Sequence, residues 1–224
     1  KRALGQDRRI VRAMPNTPAL LGEGMTGVCY DASLFTQEEK EVLDWIGRRR
    51  YQVLFVEGTH DNLDLLSRYP VEEWNGGLVH HICGNLRHLI RGQVFHLQDK
   101  TLLALGGGES QDASFRKAGE NWWPQELPQY DEIEEWTRRL AEGGNQVDYV
   151  VSHQAPTNVD SCITGHICEV NALTAFMDRF QQTCQFRRWF FGSYHQDRVV
   201  PLKYQCLFEK IEPGEKKSKS RRRR

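Results

Sequence analysis

Three histidines stand directly behind three apolar runs of the kind that form strands. His60 follows VLFVEGT, His153 follows DYVVS, and His195 follows WFFGSY. Imidazole is the side chain best suited to move a proton near neutral pH, and it also ligates divalent metals. In an α/β sheet, residues just beyond the strand ends converge on one crevice, so three such histidines read as one site. The histidines at 80, 81, 88, 96 and 166 lack that shared placement and read as ordinary polar side chains.

The runs that must position these residues are short, β-branched or aromatic, and closed by turn residues. Residues 51–56 (YQVLFV) lead into Glu57-Gly58, and 101–105 (TLLAL) into Gly106-Gly107-Gly108. Residues 147–152 (VDYVVS) lead into His153, 188–191 (RWFF) into Gly192, and 199–208 supply one or two further strands. Helical patterns lie between them. Residues 36–46 (TQEEKEVLDWI) open on Thr36 with Glu39 three positions on, a capping-box arrangement, and offer Val42, Leu43, Trp45 and Ile46 as an apolar face. Residues 130–142 space Ile133, Trp136 and Leu140 by three and four, and Gly143-Gly144 ends the pattern. Residues 169–180 repeat the spacing with Val170, Leu173, Phe176 and Met177 or Phe180. Interleaved strands and helices predict an α/β fold with a layered sheet core.

The local wording around the histidines sharpens the expectation. Gly58-Thr59-His60-Asp61-Asn62 resembles the GNH(E/D) motif of the calcineurin-like metallophosphoesterases. Val150, Ser152 and His153 with Pro156 resemble that family's strand-histidine-xx-proline segment, and Gly192-Ser193-Tyr194-His195 resembles its GHxH motif. Gly106–Gly108 with Glu109, Ser110, Asp112 and Arg116, then Trp122-Trp123-Pro124-Gln125-Glu126, look like a bacterial branch of the superfamily. The resemblance covers about residues 40–212. It implies an αββα sandwich, incomplete at its N-terminal end, and hydrolysis of a phosphoric ester at two divalent cations (Mn, Fe, Zn or Mg) that activate a bridging hydroxide. It implies His60 as the acid for the leaving group, His153 and His195 as metal ligands, and Asp61 and Arg116 at a phosphorylated small-molecule substrate. The departures are specific. Thr59 replaces the ligating asparagine, Ser193 replaces the first histidine of GHxH, and no DxH or GDxxD segment precedes residue 57. Two cations without bridging carboxylates repel each other, so the metal site is expected to be depleted and turnover weak. The non-catalytic alternative is a degenerate phosphoesterase that binds phosphate or nucleic acid.

A different resemblance occupies the first residues. Residues 12–29 (RAMPNTPALLGEGMTGVC) resemble the MPNTPA…GEGMT stretch of pyrroline-5-carboxylate reductase, over about residues 8–37. In that family the stretch borders the NADPH and substrate site. The GxGxxG turn that holds a pyrophosphate is not found here, and Gly106-Gly107-Gly108 does not supply it. The expected organisation is a reductase-like fragment (1–37), a phosphoesterase-like domain (38–214) lacking its first strand, and a basic tail (215–224). A third reading is a fragment of reductase activity. The absent initiator methionine fits a chain joined from two parents, with the junction within residues 31–50.

Charge divides along the same lines. Lys plus Arg and Asp plus Glu number 30 each, but residues 215–224 (EKKSKSRRRR) hold seven cations and one anion. The rest of the chain is therefore net −6, and the tail reads as either a solvated terminus or a nucleic-acid anchor. The six cysteines form no CxxC pair, and no apolar run approaches the roughly 20 residues of a membrane helix. The expectation is a cytoplasmic protein with reduced thiols and no membrane partner. Cys162, His166 and Cys168 are spaced for zinc but read better as buried thiols before a helix. Trp122-Trp123 read as packing rather than as a stacking platform. Arg116 suits either a bidentate phosphate contact or a surface ion pair.

Overall fold

The computed structural model describes residues 10–11, 37–201 and 203–212. The MPNTPA…GEGMT stretch, Thr36 and the basic tail lie outside the described residues. Eleven strands form two sheets among the described residues. The first runs β1 (Ile10–Val11), β2 (Val53–Phe55), β5 (Leu86–Leu89), β4 (Gly77–Cys83), β3 (Val71–Trp74). The second runs β10 (Arg198–Val200), β11 (Tyr204–Cys206), β9 (Arg188–Phe191), β8 (Tyr149–Ser152), β7 (Lys100–Leu105), β6 (Val94–Leu97). The helices are α1 (Gln37–Gly47), α2 (Leu63–Leu66), α3 (Tyr130–Glu142), α4 (Thr157–Thr164) and α5 (Ala172–Thr183).

The side-chain period of two explains the layering. On β7, Leu102 and Ala104 face the first sheet and pack with Leu54, Val56, Val79, Leu89 and Phe95. Leu103 and Leu105 face the other way, onto Trp136 and Leu140 of α3, Val159 and Ile163 of α4, and Leu173, Met177 and Phe180 of α5. The parallel strands β7, β8 and β9 are thus covered on both faces and read as continuous apolar runs. A third cluster packs Leu43 of α1 and Leu65 and Leu66 of α2 against Phe55, Ile82 and Leu86 of the first sheet. The fold is mixed α/β, with two sheets face to face and helices outside both.

Two expectations need correction. On α1 only Leu43 and Ile46 pack inward; Val42 is 50% and Trp45 62% exposed. Positions 42 and 45 lie about 100° around the helix from 43 and 46, and the Arg49 guanidinium covers the Trp45 ring at 3.5 Å. Helix α5 starts at Ala172 rather than 169, because the Asn171 side chain accepts from Thr174 N and caps it, and Val170, expected on its apolar face, lies outside it and is exposed. Strands β3–β6 and helix α4 have no clear periodicity in the sequence. Asn75 and Gly76, at φ 52° and 85°, make the tight turn between β3 and β4.

Candidate active site

The candidate site lies where three parallel strands of the second sheet end in register. Leu105 pairs with Ser152 and Ser152 with Phe191, so Gly106, His153 and Gly192 leave the second sheet along one edge. β2 of the first sheet ends beside them. Gly107 N donates to Glu57 O at 2.9 Å, joining the two strand-end turns. Glycine is required here by close approach. A Cβ on Gly106 would lie 1.9 Å from Glu57 Oε2, and one on Gly58 2.8 Å from the His153 ring.

His60 is held by a carboxylate. Its Nε2 lies 2.9 Å from Asp112 Oδ1, and Asp112 Oδ2 lies 2.7 Å from Arg116 Nη2. The hydrogen bond from Arg116, reinforced by His60, holds the Asp112 carboxyl down at about 2. Arg116 also donates from Nη1 to Asn121 O at 3.1 Å, while its buried Nε has no partner. The ion pair expected as one alternative for Arg116 is therefore present, and Asp112 is its partner.

His153 is buried, 5% exposed, and desolvation pushes its imidazole down to about 4, with the charges of His60 and His195 acting in the same direction and Glu57 opposing. Its ring is therefore neutral at pH 7. Nε2 faces Thr59 Oγ1 at 3.4 Å. His195 stacks on Phe208 with centroids 5.3 Å apart. The turn before it is tied down by Tyr194, whose hydroxyl donates to Asp160 at 2.5 Å and accepts from Ala155 N at 3.3 Å. His60 and His195 each lie near enough to His153 for charge on either to disfavour its protonation. Asp61 is placed differently: Oδ2 accepts from Gly58 N at 2.6 Å, so the carboxyl braces the turn. Desolvation raises it to about 7, with Glu57 adding repulsion.

Glu57 was not singled out from sequence, nor were its partners. Its buried carboxylate accepts from His88 Nε2 at 2.8 Å, and Arg91 Nη1 stands 3.9 Å away. Burial works to raise the carboxyl, but His88 and Arg91 outweigh it and hold it below the ordinary range. His88 Nδ1 in turn meets His80 Nδ1 at 3.0 Å. No spacing signal connects residues 57, 80 and 88; only the pairing of β4 with β5 and β5 with β2 aligns them.

Among the described residues, no group of three or more His, Cys, Asp and Glu side chains is placed to hold a metal ion. Among the described residues His153 and His195 have no third donor of that kind beside them, and Glu57 is engaged by His88 and Arg91, so the described residues do not make up a two-metal centre. Cys162 is exposed and Cys168 partly so, contrary to the buried thiols expected. Burial and the nearby Asp160 push the Cys168 thiol up to about 11, away from the thiolate that zinc needs. Trp123 is buried and donates to Asp64 Oδ2, and Trp122 donates to Glu126 Oε1, so both indoles are used in packing.

No family model matches the chain. The pyrroline-5-carboxylate reductases of Escherichia coli K12 and Shigella flexneri are each 54% identical to it over 43 residues. The match covers 19% of this chain and 16% of each reductase. A likeness this short is one of segment. It agrees with the reductase-like wording of residues 12–29, and the chain spans about a sixth of the length of these relatives. No helix among the described residues is long and apolar enough to cross a membrane.

Proposed function

We propose that the chain is a calcineurin-like metallophosphoesterase domain whose strand-end cleft binds a phosphoric ester and keeps the proton-handling part of the family's site. The observation that carries this is His60 fixed on Asp112 beside a neutral, buried His153, with His195 at the same sheet edge. Support also comes from the two facing sheets with helices outside, and from the order of the GTHD, strand-His-xx-Pro and GSYH segments.

The ionised Asp112 accepts the Nε2 proton of His60, which leaves Nδ1 for the substrate. As an acid, His60 must carry both protons and deliver the one on Nδ1 to the leaving oxygen. Arg116 balances the charge of Asp112 and places a guanidinium beside the His60–Asp112 pair for a phosphoryl oxygen. Turnover is weak, because Thr59 and Ser193 replace two family ligands and no three-donor group stands among the described residues.

Hydrolysis of an aryl phosphate, with and without added manganese, tests the reading. We expect slow turnover that falls to the buffer rate in His60→Ala. Rapid manganese-dependent turnover would refute the depleted site, and turnover indifferent to His60→Ala would refute the acid.

A further inference from the structure

The strand that carries the Glu57–His60 turn has two edges. On one, Val53 N donates to Asn85 O at 2.8 Å, and β2 runs parallel to β5. Successive N–H groups of a strand point to opposite edges, so the Leu54 N–H points away from β5. Leu54 is only 2% exposed, and an unpaired amide there would be buried without water to satisfy it. β1 lies along that edge in parallel, Ile10 opposite Val53 and Val11 opposite Leu54.

We infer that the N-terminal segment is a strand donor in cis, and that the edge of β2 is an acceptor site for a short β-branched strand, filled by Ile10–Val11. The pair comes from the residues read in sequence as a reductase-like fragment separate from the domain. Its backbone instead completes the first sheet next to the cleft. Recognition is by main-chain pairing in parallel register. A boundary at residue 37 is therefore not a boundary of the sheet. Leaving β2 bare would expose a row of N–H and C=O groups open to a second chain. The inference does not depend on what the cleft binds.

Amide exchange of the full chain, followed by NMR, tests it without any activity. We expect the Leu54 amide to be protected, with an interstrand NOE to Val11. In the double variant Ile10→Pro, Val11→Pro the Leu54 amide should exchange on the order of a hundredfold faster or more, while those of Val53 and Phe55 keep their protection through β5. Two results would overturn the inference: a wild-type Leu54 amide that exchanges like a loop and shows no NOE to β1, or Leu54 protection unchanged by the prolines. The wild-type spectra decide the matter even if the proline variant fails to fold.

Discussion

His60, Ser193 and His195 have φ of 67°, 68° and 49°, a left-handed state that side chains other than glycine rarely take. Such backbone costs on the order of 1–3 kcal/mol per residue and persists where the surroundings over-determine it, commonly at functional sites. Ser193→Gly is expected to relieve part of that cost and raise stability by up to about 1 kcal/mol, read from urea unfolding. Asp112→Asn should leave the fold intact and lower any hydrolysis by about 10²-fold or more, because a neutral amide is a weaker partner for Nε2 and orients the His60 ring less firmly. The buried histidines also set a pH dependence. The unfolded chain protonates His153 and His80 below their ordinary value of 6.5, whereas the folded chain protonates each only near pH 4. Their contribution is complete above pH 6.5 and is lost as pH falls toward 4. Asp61 opposes them, since the folded chain keeps its proton up to about pH 7 and the unfolded chain releases it near 3.8. Two against one gives stability that falls on acidification from 6.5 to 4 by at most about 1.4 kcal/mol per pH unit, less where half-buried His80 is screened. His153→Gln should nearly flatten that slope in urea melts between pH 7 and 5. At this scale the placement of the three histidines within a few residues of apolar runs was legible in the sequence. Glu57 and the Asp112 partner of His60 were not, since their contacts span 31 and 52 residues and depend on strand pairing.

The cleft depends on turns that admit no extra atoms. Gly106→Ala places a methyl 1.9 Å from the Glu57 carboxylate and must displace a buried, paired charge. A loss of at least about 1–3 kcal/mol is expected, with Gly143→Ala, which meets nothing closer than 3.5 Å, changing stability by less than about 0.5 kcal/mol. Equilibrium denaturation of the two variants side by side is the check. The strands β7, β8 and β9 and helix α3 were readable because burial on both faces makes a strand uniformly apolar, and a single buried stripe gives a helix its period of three and four. The four strands between residues 71 and 97 were not. They carry histidines, glutamates and arginines at positions that an edge or half-exposed strand tolerates, so the alternation is blurred. Helix α4 starts behind Pro156 with an apolar face of only Val159 and Ile163, too little for periodicity to show.

At the scale of the whole molecule, residues 1–214 carry a net negative charge and the last ten residues a net positive one. The last described segment is anchored near the cleft: Asp197 accepts from the backbone N–H of Phe208, Glu209 and Lys210 at 3.0–3.2 Å, and Phe208 stacks on His195. The seven cations of residues 215–224 follow in sequence. Binding of a single-stranded oligonucleotide, where it occurs, should have a log–log salt slope of up to about −5 and should disappear on removal of those ten residues. Unchanged binding would place the polyanion elsewhere. In the proposed site the cleft keeps its proton-handling residues while its metal-holding set is incomplete. Metal content of the purified full chain, measured by inductively coupled plasma mass spectrometry after exposure to manganese and removal of excess, tests it most directly. Less than one equivalent per chain is expected; two tightly held equivalents would show a complete metal-holding set.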